Sequence, residues 1–343
     1  MTELPTPLRE ALERSGLVEA GARVTGEPLT GGVSSDIWLV ETDGRQVCIK
    51  RALERLNVKK VWHAPTARHA SEAAWFRESG TIAPGNVPKI LAHDRPSGSL
   101  VMEYLPPEAY PVWKSQLRDG IVDKTTVEEI AGLLGRIHAA TARRPHLAED
   151  FDSDLFYHLR LEPYFAALAE PYPELASVLQ DTIEQVRRNS RVMVHGDFSP
   201  KNILVGPDGP VVLDAECATW GDPAFDLAFC LNHLLLKSIW NRPAAARFEA
   251  GFDQFLTRYL KAVDWEKAAD LKHRSARLLS FMMLARIDGK SPVEYINSEQ
   301  EKVFVRTIAL DLIRDPVGSP RDVADAWFAK HAQILDEKGP SDG

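Results

Sequence analysis

The sequence predicts an α+β protein of two lobes: a small antiparallel-sheet lobe carrying one helix, then a larger, mainly helical lobe. Three observations predict it. Short apolar runs separated by turn signals crowd residues 1–103. Helical periodicity dominates after residue 125. The pair Pro106-Pro107 stands between the two grammars. A chain of 343 residues has room for two domains of roughly 150, and the division falls at 1–103 and 104–343.

Each element follows from its residues. Residues 8–15 alternate apolar and charged at helical spacing. The runs 37–40 and 47–49 flank Thr42-Asp43-Gly44-Arg45, a hairpin signal. Residues 66–78 read as the inserted helix, ended by Gly80. Two further strands are expected at 87–92 and 100–104, with Pro96-Ser97-Gly98 between them. Helices are then expected at 125–142, 160–169, 174–189, 223–240, 244–262, 266–287 and 299–314. Short strands interrupt them at 192–194, 203–205 and 211–213. The run Phe225 to Leu236 reads as core, and Gly339 to Gly343 as a frayed end.

Composition excludes several classes. Hydrophobic residues at 44% with 26% charged argue against a disordered chain. No run approaches the roughly 18 apolar residues of a membrane helix, and the first thirteen residues lack an apolar signal core. Cys48, Cys217 and Cys230 are scattered, odd in number and without metal spacing, so a reducing, cytoplasmic setting is expected. The net charge of −8 argues against a nucleic-acid surface. Residues 1–103 hold 13 basic and 13 acidic residues, so the whole excess lies in 104–343. Its candidate focus is Glu149, Asp150, Asp152 and Asp154, which suit either an amine or a solvated loop that caps a helix.

The sharpest chemical signal is His195-Gly196-Asp197-Phe198-Ser199-Pro200-Lys201-Asn202, with Asp214 twelve residues after Asn202 at the end of a short apolar run. Phosphoryl transfer needs an oriented acceptor hydroxyl, magnesium held against phosphates, and neutralised charge. Asp197 suits the first need, and Asn202 and Asp214 suit the second as hard oxygen ligands. His195 reads as a brace for the loop backbone. Glu216, two residues beyond Asp214, is a further candidate for magnesium or substrate.

With these residues in place, the sequence resembles the aminoglycoside phosphotransferase and choline kinase-like small-molecule kinases, over about residues 25–295. The resemblance implies a protein-kinase-like fold, ATP and Mg2+ as cofactors, and a hydroxyl acceptor. Thr30 to Asp36 is similar to that family's phosphate-covering loop, which implies nucleotide contacts at Gly31, Gly32 and Ser34 or Ser35. Cys48-Ile49-Lys50-Arg51 resembles its strand lysine, and Glu72 its helix glutamate, with Glu78 as a competitor. The stretch 50–69 also holds Arg51, Arg55, Lys59, Lys60 and Arg68, a basic run that reads as a solvated face rather than a partner site. Adenine is then expected beside Glu103 to Leu105. Trp220 to Ala228 matches the segment after the magnesium aspartate, which implies that Asp222 and Asp226 are structural acids that rigidify the catalytic loop.

The resulting expectation is ATP-dependent phosphorylation of a small polar metabolite or aminoglycoside-like compound. The acceptor carries a free hydroxyl, with a preference for a cationic one. A catalytically silent sensor of the same fold is the alternative, and the intact set Lys50, Asp197, Asn202 and Asp214 speaks against it. A protein kinase is disfavoured, because Ser199 stands two residues after Asp197 and residues 214–216 read Asp-Ala-Glu. Neither nucleic acid nor membrane is an expected partner.

Overall fold

The structure is a computed structural model that describes residues 2–29, 35–42, 44–53 and 65–337. Its first part is one six-stranded antiparallel sheet. In chain order the elements are β1 (Thr2–Glu3), α1 (Thr6–Arg14), β2 (Thr25–Pro28), β3 (Ser35–Thr42), β4 (Arg45–Ala52), α2 (Arg68–Ile82), β5 (Ile90–Asp94) and β6 (Ser99–Glu103). The spatial order is β1-β2-β3-β4-β6-β5. The β3–β4 register closes at Thr42↔Arg45, and Gly44 takes φ +72° in the turn, a conformation that favours glycine.

Strand alternation decides what the sheet can do. Val47 and Ile49 of β4 point into a core with Leu8, Ala11 and Leu12 of α1. Residues of opposite parity, Cys48 and Lys50, therefore face α2. Lys50 sits in the middle of the sheet, paired with Ile37 on β3 and Leu100 on β6.

The remainder is mainly helical. Its elements are α3 (Trp113–Arg118), α4 (Lys124–Thr141), α5 (Ser153–Phe156), α6 (Glu162–Tyr164), α7 (Ala176–Arg188), β7 (Val192–Val194), β8 (Ile203–Gly206), β9 (Gly209–Val212), β10 (Thr219–Gly221), α8 (Pro223–Trp240), α9 (Ala245–Leu260), α10 (Ala268–Asp288), α11 (Glu299–Arg314) and α12 (Pro320–Glu337). Every residue of α8 except Trp240 is buried, so this helix is the axis of the core. It packs against α9 and α10. Trp75 and Phe76 of α2 belong to the same large core, which ties that helix to the helical part.

Several boundaries differ from the sequence reading. The expected helix 160–169 is broken into a π-helical turn at Tyr157–Leu161, the short α6, and a 3-10 turn at Ala166–Ala169. Pro163 and the wide π turn interrupt the period that suggested one helix. The inserted helix runs past Gly80 to Ile82. The strand expected at 87–92 starts only at Ile90, beyond Pro88, which has no N–H for a ladder. Six elements were not anticipated: β1, β2, α3, α5, β10 and α12. For α12 the signal was present, since Ser319 and Asp322 exchange side-chain-to-backbone hydrogen bonds of 3.0 and 3.3 Å ahead of the helix. The frayed end expected at Gly339 to Gly343 lies outside the described residues. Among the described residues no helix is long and apolar enough to cross a membrane.

Candidate active site

The loop between β7 and β8 is held from below by one acid and a histidine. Asp226, in the first turn of α8, accepts backbone N–H bonds from His195 (2.6 Å) and Gly196 (2.9 Å). His195 accepts the Asp197 N–H at Nδ1 (3.1 Å), so its Nε2 carries the proton donated to the Leu213 carbonyl (3.0 Å). Burial keeps this imidazole neutral by holding its pKa below the ordinary histidine value. Gly196 has φ +76°, and a Cβ there would lie 2.3 Å from the Cys217 carbonyl oxygen, so only glycine fits. Asp222 caps α8 through the Ala224 N–H (2.9 Å) and forms a two-pronged pair with Arg274 at 2.8 and 3.0 Å. The bracing expected of His195 and Asp226 is present atom by atom, whereas Asp222 caps α8 and pairs with Arg274 without touching the loop.

Asp197 and Asn202 are both buried at the top of this loop. The Asn202 amide donates to the Asp197 carbonyl (3.0 Å), which turns its own carbonyl oxygen the other way. Two cations meet one carboxylate oxygen of Asp197: Arg160 at 3.0 Å and Lys201 at 2.9 Å. Burial works to raise the Asp197 pKa, but Lys201 and Arg160 outweigh it and hold the group below the usual carboxylate range. Among the described residues the other oxygen, Oδ1, receives only a 3.4 Å bond from Ser199.

Across from this loop, Lys50 pairs with Glu72 of α2 at 2.8 Å and with Asp214 at shorter range. Burial opposes the lysine's charge, yet Asp214, Glu72 and Glu216 together hold its pKa well above the usual range. Asp214 is held well below the carboxylate range, because Lys50 and Lys201 outweigh its burial. It is also the sole described non-glycine residue with positive φ, at 63°. That conformation costs an aspartate about 1 kcal/mol and marks a position where the fold aims a side chain against local preference. Glu78, the competitor of Glu72, pairs instead with Arg77 and Arg144.

The structure thus brings together Lys50, Glu72, Asp197, Asn202 and Asp214. At the end of β6 the Glu103 N–H is engaged by the Lys89 carbonyl (3.0 Å) and its carboxylate by the Lys89 N–H (2.8 Å). The Tyr104 and Leu105 N–H groups have no hydrogen-bond partner among the described residues, so both donors are left open there. Ser35 begins β3 with its hydroxyl buried and unpaired. Gly31, Gly32 and Ser34 lie outside the described residues, as do Arg55, Lys59 and Lys60 of the basic run. Arg68, which the sequence placed on a solvated basic face, is fully buried and holds Glu216 at 3.0 Å.

Two residues at the site went unassigned in the sequence. Lys201 stands inside the motif, four residues after Asp197, which was a usable signal. Arg160 sits in the π-helical turn and has no pattern to reveal it. The acids Glu149, Asp150, Asp152 and Asp154 are exposed. Asp150 pairs with Arg77, Asp154 with Arg187, and Asp152 caps α5.

Among the described residues there is no cluster of three His, Cys, Asp or Glu side chains suited to a metal. Magnesium does not require one, since it takes one or two protein oxygens and completes its octahedron with phosphates and water. Asn202 and Asp214 fit that demand.

The sequence model of the phosphotransferase enzyme family matches residues 25–271. The chain belongs to that family. It is 25% identical over 226 residues to a methylthioribose kinase of Erwinia tasmaniensis, covering 56% of this chain and 54% of that protein. It is 29% identical over 228 residues to an N-acetylmuramate/N-acetylglucosamine kinase of Pseudomonas aeruginosa, covering 60% of this chain and 63% of that one. The match therefore spans about half to three fifths of these curated relatives. A crystal structure from Ralstonia eutropha, assigned to the aminoglycoside phosphotransferases, superposes over 96% of this chain and 98% of its own with a TM-score of 0.52 at 15% identity. That likeness establishes the fold as the protein-kinase-like one of this family.

Proposed function

We propose that the protein transfers the γ-phosphoryl group of ATP to a hydroxyl of a small polar molecule. In this reading residues 1–103 form the nucleotide-binding lobe and residues 104–343 the catalytic and substrate lobe. The observation that carries it is the buried Lys50, joined at once to Glu72 and Asp214 within a site that also holds Asp197 and Asn202. Glu72 positions Lys50, and Lys50 neutralises phosphate charge. The Leu105 N–H donates to the adenine edge beside Glu103, and Ser35 with the preceding Gly31, Gly32 and Ser34 covers the phosphates.

Asn202 and Asp214 would hold Mg2+, which when bound screens the phosphate oxygens and orients them for in-line transfer. Asp197 orients the acceptor through Oδ1 and takes its proton as the phosphoryl group arrives. Arg160 and Lys201 keep Asp197 ionised, so its work is mainly orientation rather than strong base action. A silent sensor of this fold would not need the acid, amide and lysine set that is intact here.

The test is ADP release by purified protein with MgATP and a panel of sugars, amino sugars, amino alcohols and hydroxy acids. Acceptor-dependent release supports the reading. MgATP binding without release for any acceptor moves the protein to the sensor class.

A further inference from the structure

One side of α8 carries Phe229, His233, Lys237 and Trp240, a spacing that lines them along a single face. The row begins at the catalytic aspartate. The guanidinium of Arg160, paired with Asp197, lies 5.9 Å from the Phe229 ring centre, and His233 meets Phe229 edge-on at 5.4 Å. It ends at Lys237, whose ammonium lies 4.8 Å from the Trp240 ring centre and 4.2 Å from that of Tyr295. Trp240 and Tyr295 are stacked at 4.6 Å.

Lys237 is only 1% exposed, and among the described residues it has no carboxylate within 4.0 Å and no hydrogen-bond acceptor. Aromatic faces offset part of the cost of a buried ammonium, not all of it. A methionine or leucine would fill the same space at no such cost. Its neighbours also carry unpaired atoms, although one terminal nitrogen of Arg286 donates to the Tyr164 hydroxyl and to Ser291. The Tyr295 hydroxyl, His233 Nδ1 and Arg286 Nε are buried and unpaired. After burial, the largest influences on His233 are the positive charges of Arg286, Lys237, Lys201 and Lys114. Glu294, the acid whose charge bears on Lys237, is exposed and tied to Lys114. A cluster of cations without a free acid runs against the acidic excess of residues 104–343.

We propose that this row is an anion site for the phosphoryl acceptor. The acceptor is a hydroxy compound bearing a carboxylate or phosphate, held by Lys237 with His233 and Arg286 beside it while its hydroxyl reaches Asp197. The inference rests on the phosphotransferase reading and replaces the cationic acceptor suggested by the acid count. The acids behind that suggestion sit on the surface, whereas the partners of Asp197 are Arg160 and Lys201. Burial, with help from Lys114 and Arg286, pushes the Lys237 ammonium down to about 7, so an anion arriving there would restore its charge.

The test uses the full chain and one sugar scaffold in four charge states: D-glucose, D-glucuronate, D-glucose 6-phosphate and D-glucosamine. The expected result is a kcat/KM for glucuronate or glucose 6-phosphate that exceeds that for glucose by about tenfold or more, with glucosamine the poorest. Which of the two acids leads separates carboxylate from phosphate. Lys237→Met should erase the preference. Glucose or glucosamine equal to or better than both acids would overturn the proposal, as would an unchanged preference in Lys237→Met. If no sugar supports ADP release, calorimetry separates the two claims. Absence of MgATP binding then counts against the phosphotransferase reading alone. Titration with glucuronate and with glucose 6-phosphate reads the anion site directly: binding lost in Lys237→Met supports it, and no binding to wild type overturns it. Should Lys237→Met fail to fold, the wild-type preference and these titrations decide by themselves.

Discussion

Within the catalytic loop the backbone and side-chain groups that fix its shape have named partners, although the adjoining Trp75 and His138 each keep a buried ring nitrogen without a hydrogen bond. Both oxygens of Asp226 accept backbone N–H groups, both nitrogens of His195 are engaged, and the Asn202 amide is tied to the Asp197 carbonyl. Along α8, only one to three helical turns further, the pattern reverses. Lys237 has aromatic faces and no acceptor, and His233, Tyr295 and Arg286 each leave a buried polar atom unpaired. The catalytic loop is held in shape by its own hydrogen bonds, which is what a preorganised transfer site requires. In the proposal above, the acceptor's anion supplies the partners that the second region lacks. Buried donors are seldom left orphaned without a reason, so the contrast separates the machinery common to the chemistry from the part that chooses an acceptor.

The largest expected effect is on the catalytic side. Asp197→Asn should retain the fold and MgATP binding, and lower kcat by about 10²–10⁴, the usual worth of a positioned acid or base. Turnover assays beside calorimetry check it, and unchanged turnover removes Asp197 from the mechanism. Asp226→Ala strands two buried N–H groups of the catalytic loop. It should lower stability by about 3 kcal/mol, read as a shift of the denaturation midpoint at constant slope. A stability equal to wild type would show that the loop does not depend on this acid.

The α8 row should instead show itself through pH. The Lys237 pKa falls from 10.5 in the open chain to about 7 in the fold. Between those values the unfolded chain binds a proton that the folded protein does not. Stability therefore rises with pH over that window, by at most about 1.4 kcal/mol per pH unit from this group. Lys237→Met should flatten the rise and be the more stable protein at or below pH 7. The groups facing Lys237 are Lys114 from α3, His233 from α8, Arg286 from α10, and Glu294 and Tyr295 from the segment before α11. Burial lowers His233 too, so it stays neutral across the window, and burial raises Tyr295 to lie above it. In the wild type, kcat/KM for an anionic acceptor should fall above about pH 7, while that for glucose stays level. Parallel profiles for the two would detach acceptor choice from Lys237.

The contrast also marks what the sequence could disclose. The Asp197, Asn202 and Asp214 set is legible because one loop and one hairpin bring it together, so spacing along the chain nearly equals spacing in the fold. Lys50 and Glu72 are legible for a related reason: strand parity and one helix place them face to face across 22 residues. Arg160 is not, because a π turn positions it and no periodic pattern encodes one. Arg68 and Glu216 meet across 148 residues, and the basic run around Arg68 looks like surface until the fold buries it. The α8 row was hidden in the most apolar stretch of the chain. Its run of leucines declares a core helix, and nothing local says that Tyr295 will close over Lys237 from another segment.

The smallest expected effect concerns the acids that pointed the sequence reading toward a cationic acceptor. Asp152 caps α5 by accepting the Asp154 N–H (2.8 Å), and Asp154 is 77% exposed with Arg187 at 3.8 Å. Asparagine caps a helix about as well as aspartate, and an exposed pair at that distance contributes little. The double variant Asp152→Asn with Asp154→Asn should therefore move stability by no more than about 0.5 kcal/mol. Because these acids are exposed and bonded to each other and to Arg187, acceptor kcat/KM should change by less than about twofold at physiological salt, where charges beyond roughly 8 Å are screened. A tenfold loss for amino sugars in this variant, with glucuronate unaffected, would return the acids to the acceptor site. It would also make the surface, not the α8 row, the part of the molecule that selects the acceptor.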